Sequence, residues 1–259
     1  MEKEKTFDCL CIKSIDYKEN DKLVTLYAFG EGKITATLKG VKKSKAKLKF
    51  AGALLCFAKY YLTGRNGYYS VIGCDLVDNF YGIWTDIDKY YVALCCLEIL
   101  DKVADDREIG DKLAALTLDF LNEICYKNTN IFLSFATYLS KTTQILGYHL
   151  APVCTNCGDD KNLSFSLLYG ALTCKDCKEY NAISLSEQSV HLIKILQQNN
   201  DLKNLPENVQ FKDEDVTSVI RCFFEVIGKN LAKKFKTFEE YNLFYNKNII
   251  YNKITWNKW

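Results

Sequence analysis

Four cysteines carry the clearest chemistry in this chain. Cys154-Thr-Asn-Cys157 and Cys174-Lys-Asp-Cys177 are two Cys-x-x-Cys knuckles separated by sixteen residues. That spacing falls inside the window in which four thiolates converge on one tetrahedral Zn²⁺. Gly158 follows the first knuckle, where the backbone must turn tightly for both sulfurs to face one ion. A redox pair or unrelated buried cysteines are the competing readings. Four sulfurs fill a tetrahedron and leave no position for a catalytic water, so one structural Zn²⁺ is expected, acting as a staple.

Lysines carry the second chemistry. Lys33, Lys39, Lys42, Lys43, Lys45, Lys47 and Lys49 lie within seventeen residues that hold no acid, and Arg65 follows in the same basic region. Clustered positive charge on a protruding element is what releases counterions from a phosphate backbone. Phe57, Tyr60, Tyr61, Tyr68 and Tyr69 accompany the run, and exposed rings are what bases stack on. The competing reading is a solvated lysine loop beside aromatic core residues. The net charge of +2 hides an asymmetry: residues 1–80 hold 14 Lys+Arg against 9 Asp+Glu, whereas residues 81–153 hold 6 against 10. The positive field therefore belongs to the N-terminal part. The cysteine loop, residues 154–183, is net −1 before zinc, and four thiolates with Zn²⁺ add a further −2, so it is a poor grip for nucleic acid.

Enzyme readings find little support. The chain has two histidines; His149 is not needed for a Cys₄ set, and His191 sits in a helical pattern. Gly30-Glu-Gly-Lys33 lacks the spacing of a phosphate-binding loop. Asp105-Asp106 and Asp213-Glu-Asp215 stand at helix starts, where capping and the helix dipole explain them. The other eight cysteines mostly lie in apolar runs, where a free thiol behaves as a small hydrophobe, and this points to a reducing compartment. The start of the chain carries acids and no apolar stretch of a signal peptide, and no apolar run approaches a membrane span. A soluble cytoplasmic protein is expected.

The elements that must position these groups change type along the chain. Phe7–Ile15, Leu23–Phe29, Lys33–Leu38, Ala51–Thr63 and Tyr68–Val77 read as strands, with hairpin signals at Gly30-Glu-Gly32 and Thr63-Gly-Arg-Asn-Gly67. In the third, Ile34, Ala36 and Leu38 alternate with Lys33, Thr35 and Thr37. Five strands with a basic loop fit a small barrel of the OB type, and an SH3-like barrel fits the count nearly as well. After Phe80 the period becomes helical. One helix starts at a capping box of Thr85 and Asp88, with Ile83, Ile87, Tyr90, Tyr91, Leu94, Leu97 and Leu100 on its apolar stripe. Helices at Asp111–Tyr126 and Ile131–Leu146 follow, the last with Gly147 as its C-cap, and the three are expected to pack as a bundle. Beyond the cysteine loop, Ser184–Gln198 and Asp213–Lys234 read as helices, 201–211 as a loop, and Asn246–Trp259 has no clear period. The expected class is α+β: an OB-fold barrel at 1–80, then a helical domain at 81–246 with an inserted Cys₄ module at about 152–183, and a tail at 247–259.

This order of barrel, basic run, helices, Cys₄ insertion and closing helices resembles the RecO family of bacterial recombination mediators. The residues that carry the resemblance are Asp21-Lys-Leu-Val-Thr25, Gly32, Lys39-Gly-Val-Lys-Lys-Ser-Lys45, Gly147-Tyr148 running into Cys154-x-x-Cys-Gly158, Cys174-x-x-Cys177, and Leu231-Ala-Lys-Lys-Phe-Lys-Thr237. The resemblance implies an OB-fold that binds single- and double-stranded DNA, and a nucleoid-associated role in recombinational repair without catalysis. It implies annealing of complementary strands and, with RecR, loading of RecA onto DNA coated by single-strand-binding protein, whose acidic C-terminal tail the helical region receives. It implies no membrane and no small-molecule substrate. The tail at 247–259 departs from the pattern. A reading from another class stays open at this point: a zinc-stapled adaptor whose barrel binds protein or structured RNA.

Overall fold

The computed structural model describes residues 3–65, 68–103, 105–198 and 211–241. The loop expected at 201–211, but for Phe211, and the tail at 247–259 lie outside these residues. The chain divides into two compact units, between Lys127 and Asn128.

In the first unit, five strands close a barrel: β1 (Lys3–Tyr17), β2 (Asp21–Ala28), β3 (Gly32–Leu38), β4 (Phe57–Arg65) and β5 (Tyr68–Asp78). Their order around the barrel is β1-β2-β3-β5-β4, with β1 returning to β4. All pairings are antiparallel except β3 with β5, which run parallel through Ala36↔Tyr69 and Thr37↔Ser70. This is the five-stranded Greek-key closure of an OB-like barrel, which decides between the two barrel types that strand counting leaves open. Alternation works as expected in β3, where Ile34, Ala36 and Leu38 are buried. They join Cys9, Cys11, Val24, Leu26, Cys56, Ala58, Tyr60 and Leu62 in one core.

Ala51–Thr63 is not one strand. Its first part is a 3₁₀ turn at Phe50–Gly52, and Leu55 then adopts a left-handed φ of +65° before β4 begins. Ala51, Leu55 and Cys56 are all fully buried, so turn and strand form one continuous apolar run in the sequence. The turn is pinned by side chains: the Tyr60 hydroxyl donates to the Ala51 carbonyl at 2.8 Å, and Ser14 Oγ donates to that of Gly52 at 2.7 Å.

Three helices complete this unit: α1 (Tyr81–Trp84), α2 (Ile87–Val103) and α3 (Arg107–Tyr126). The start of α2 is capped by Asp86, not Thr85. The Asp86 carboxylate accepts from the backbone N–H of Asp88 and Lys89 at 2.9 and 3.2 Å. The expected stripe is displaced too: Ile87 is exposed, while Val92, Ala93, Cys95, Cys96 and Ile99 are buried beside Leu97 and Leu100. A helix apolar around most of its circumference has no single stripe to read. Helix α3 is fastened to the barrel, because Asp111 Oδ1 accepts from the Tyr27 hydroxyl at 2.9 Å and from the Gly30 N–H at 3.2 Å. The expected three-helix bundle therefore gives way to two groupings, with α2 and α3 in the barrel's unit and the next helix in the other.

The second unit holds α4 (Ile131–Ile145), a three-stranded sheet of β6 (Ser164–Ser166), β7 (Ala171–Thr173) and β8 (Ile183–Ser184), then α5 (Glu187–Gln198) and α6 (Asp213–Leu231). Helix α4 begins at Asn130, whose side chain accepts from the Phe132 and Leu133 amides. It ends at Gly147, φ +79°, with the Tyr148 N–H donating back to the Thr143 carbonyl at 2.8 Å. That is the expected glycine C-cap in its Schellman form. Helix α6 packs Val219, Ile220, Phe223 and Ile227 inward and stops three residues before the expected end, where Ala232 turns left-handed at φ +50°. A further helical turn starts at 236 and is described to 241.

Candidate metal centre and nucleic-acid interface

The cysteine module is built from backbone first. In the first knuckle the Cys154 N–H donates to the Asp159 carbonyl at 2.7 Å, and the Gly158 N–H donates to the Cys154 carbonyl at 2.8 Å. Gly158 makes this turn with a φ of +79°. The Thr155 N–H donates to the Leu172 carbonyl at 2.8 Å, which ties the knuckle to β7. The second knuckle closes through Cys177 N–H to the Cys174 carbonyl at 3.1 Å. Just beyond it, Glu179 accepts from the Leu168 N–H at 2.9 Å and from Ser166 Oγ at 2.7 Å. Those bonds hold its carboxyl below the usual range and anchor the exit of the knuckle on the β6–β7 hairpin. Nothing in the sequence singles out Glu179 for this role.

The result is convergence. The Sγ atoms of Cys154, Cys157, Cys174 and Cys177 all lie within 4.8 Å of one another, with Cys157 and Cys174 at 3.5 Å. A tetrahedron with metal–sulfur bonds of about 2.3 Å has edges of roughly 3.8 Å, so the cluster has the size of a Zn²⁺ site and is too open for disulfides. Cys154 and Cys174 are buried, Cys177 is half-buried and Cys157 is exposed. Burial alone would push the Cys154 thiol up. The N–H groups of Cys174, Cys157 and Asn156 outweigh it and hold the thiol down at about 6. The Cys177 thiol is pushed up to about 12, chiefly by its hydrogen bond with Cys174. Four sulfurs this close do not all ionise without a cation among them, and a divalent ion removes that conflict. His149 is not among the converging groups.

Three of the remaining cysteines behave differently. Burial pushes the Cys9 and Cys222 thiols well up, and Cys11 up to about 12. They are inert packing groups, as their apolar surroundings in the sequence lead one to expect.

The lysine run lies on turns between β3 and the 3₁₀ turn, and it is an ordered feature. Gly40 turns at φ +65° and donates its N–H to Asp21 Oδ1 at 2.7 Å; the Lys42 N–H donates to the Asn20 carbonyl at 3.0 Å. Val41 is buried in the barrel core, and Leu48 and Phe50 pack against it. Asp21 and Lys39-Gly-Val41 are distant in sequence, and this bond joins them. On the frame so formed, Lys39, Lys43, Lys45, Lys47 and Lys49 are exposed, with no carboxylate partner among the described residues.

Two of the other predicted lysines are engaged elsewhere. Lys33 Nζ donates to the Asp101 carbonyl at 2.7 Å and lies 3.3 and 3.4 Å from the carboxylates of Asp101 and Asp105. Lys42 pairs with Asp16 at 2.8 Å, which draws the Asp16 carboxyl below its ordinary value. The Arg65 side chain lies outside the described residues. Of the aromatics, Tyr60 is core, Tyr61 is half-buried with its hydroxyl on Asp75, and Tyr68 is exposed. Among the described residues no helix is long and apolar enough to cross a membrane.

Comparison with known proteins covers nearly all of this. The family model described as recombination protein O N terminal matches residues 1–80, and that described as recombination protein O C terminal matches 84–237. A DNA repair protein RecO from Clostridium novyi is 30% identical over 253 residues, covering 94% of each chain. One from Syntrophomonas wolfei is 30% identical over 72% of this chain and 76% of its own length. One from Desulfitobacterium hafniense is 32% identical over 66% and 63%.

Proposed function

The chain belongs to the RecO family of DNA repair proteins, and on that premise we propose that it is a non-enzymatic DNA-binding mediator of recombinational repair. In this reading it anneals complementary strands and, together with RecR, assists the loading of RecA onto single-stranded DNA coated by single-strand-binding protein. It works at the nucleoid and engages both single- and double-stranded DNA. The observation that carries the reading is the lysine loop: five exposed lysines on a frame fixed by Asp21, Val41 and Leu48, on a closed barrel. The contact residues proposed are Lys39, Lys43, Lys45, Lys47 and Lys49, with Arg65. Lys33 and Lys42 contribute less, because each must leave a carboxylate to reach a phosphate.

Counterion release supplies the affinity. Contact with about five phosphates on a single strand gives a log K against log salt slope of roughly −3.5. The division of labour proposed is a DNA-binding barrel at 1–80 and a helical part at 81–246 that receives partners, including the acidic tail of single-strand-binding protein. In the latter, Cys154, Cys157, Cys174 and Cys177 hold one structural Zn²⁺, which supplies a cross-link and no chemistry, since four sulfurs leave it no open position.

A salt-titrated binding assay with single-stranded oligonucleotide tests the reading. The wild type gives a steep negative slope, and the variant K43E/K45E/K47E flattens it by about 2. Acceleration of annealing of complementary strands falls with it. A slope near zero for the wild type would sink the DNA reading and favour the adaptor.

A further inference from the structure

We propose that a hollow between the end of α4 and the end of α5 takes one unpaired nucleobase of a bound strand, making a second DNA contact in the second unit. The hollow has a volume of about 480 Å³ and is lined by Gln144, Gly147, Tyr148, His149, Gln197 and Gln198. That is far more than the roughly 30 Å³ share of one water and within the range of small-ligand sites.

Two buried polar atoms on its lining residues have no hydrogen-bond partner among the described residues: Gln144 Nε2 and Gln197 Oε1. Gln197 is only 8% exposed, and its orientation is fixed by its neighbours. Ser140 Oγ commits its proton to the Leu196 carbonyl at 3.1 Å, so it meets Gln197 as an acceptor, and Gln197 Nε2 donates to it at 2.8 Å. The Gln197 carbonyl oxygen is thereby turned away from Ser140 and left unpaired. Gln144 lies one helical turn beyond Ser140 on α4 and brings the orphan donor. A buried donor and a buried acceptor left unsatisfied on two residues that line one hollow are a cost that native structures seldom carry without a use.

A ligand that satisfies both brings an acceptor and a donor of its own, and every nucleobase has both on its pairing edge. The other walls suit the same ligand. Tyr148, whose backbone is held by Thr143, and His149 bring rings of the kind on which splayed bases stack. A Cβ on Gly147 would meet nothing within 4 Å, so the hollow is open beside that residue. The lining residues include no aliphatic side chain, which disfavours an apolar peptide anchor. Gln144 is half-buried, and rotation of its terminal torsion, which is soft, carries the amide to an incoming edge. No residue of this hollow distinguishes one base from another by a fixed pair, so the contact is sequence-tolerant.

This inference rests on the reading that the chain binds single-stranded DNA, and the test separates the two. Photo-crosslinking of full-length protein to a strand containing 5-iododeoxyuridine is expected to label Tyr148 or His149. In equilibrium binding, the wild type should prefer a normal strand over an abasic strand of equal length by about tenfold, on the scale of one stacked base. Q144L and Y148A should each cut that preference to about threefold or less with the salt slope unchanged. Tm and zinc content confirm that each variant is folded. K43E/K45E/K47E should weaken both strands alike. Crosslinks confined to the barrel, or full base preference in both Q144L and Y148A, overturns the base site while leaving DNA binding intact; that is also the pattern expected if a protein segment is the occupant. If the lysine variant too is without effect, it is the DNA reading that fails.

Discussion

The barrel and the cysteine module use the same side chains in opposite ways. In the barrel, Cys9 and Cys11 are sealed in an apolar core that keeps them protonated, and the lysines are displayed on the surface. In the module, the cysteines converge, backbone N–H groups draw Cys154 toward its thiolate, and the surrounding residues 154–183 are net −1 before any metal. What separates the two is the path of the backbone. A tight turn after Cys154 faces sulfurs at one another, whereas β-alternation in β1 places Cys9 and Cys11 on the core face. One region acts through convergence, and the other through exposure.

The strongest way to break this comparison is to remove the point of convergence. C174S, or chelation, is expected to unfold residues 152–184 locally. Structural zinc contributes on the order of 10–16 kcal/mol in finger peptides, comparable to the whole stability of a domain. Metal analysis should fall from one zinc per chain toward none, and hydrogen exchange should collapse across β6–β8. The reverse control is C11A in the barrel, which should cost only about 1–3 kcal/mol, the scale of a buried large-to-small change. Equal losses from the two would show that the quartet is ordinary packing.

Exposure is tested by charge reversal. K43E/K45E/K47E should reduce affinity for single-stranded DNA on the order of a hundredfold at low salt. It should leave Tm nearly unchanged, because exposed charges away from special features shift stability by about 0.5 kcal/mol or less. A large fall in Tm would mean that the loop's lysines hold the barrel together, and the contrast between the regions would dissolve.

The join between the barrel and its helix sharpens the comparison at smaller scale. A Cβ on Gly110 would lie 2.5 Å from the Tyr27 hydroxyl oxygen and 3.1 Å from its ring. G110A should therefore destabilise the first unit by about 1–3 kcal/mol, as overpacking does. Y27F in the same chain should recover part of that by removing the clashing hydroxyl, although it forfeits the bond to Asp111. DNA affinity should be unaffected in both, and the cysteine module's exchange protection unchanged.

What could be read in advance follows from how local each feature is. The quartet was legible because ligand spacing is a short-range property, and β3 because one buried face imposes a period of two on Ile34, Ala36 and Leu38. The stretch from Ala51 to Cys56 was not legible as a turn, since the 3₁₀ turn and the strand after it are equally apolar. The cap of α2 was missed by one residue, because Thr85 and Asp86 are both competent and only the backbone path selects Asp86. The engagement of Lys33 depends on Asp101, 68 residues away, and that of Lys42 on Asp16, 26 residues away. No pattern of lysines alone distinguishes those two from their neighbours. The family resemblance named Asp21 and Lys39-Gly-Val41 together, and the bond from Gly40 N–H to Asp21 supplies the reason.

That distinction among lysines yields the smallest predicted effect. Lys42 is held by Asp16, whose carboxyl lies below its ordinary 3.8 because the Lys42 hydrogen bond favours the charged form. A lowered folded-state value means that the pair is intact at and above pH 3.8 and is lost only as pH falls through that lower value. Across the pH range in which DNA can be bound, Asp16 therefore stays charged beside Lys42, whereas Lys45 has no carboxylate partner among the described residues. K45A should weaken single-strand binding several-fold and reduce the magnitude of the salt slope by about 0.7, one phosphate's share. K42A should change the slope by much less, and D16A should raise affinity slightly by releasing Lys42. Equal slopes for K42A and K45A would mean that Asp16 yields its lysine to the phosphate backbone at no measurable cost, as weak surface pairs often do. In that case exposure of the loop, and not the pairing of individual lysines, sets the DNA contact.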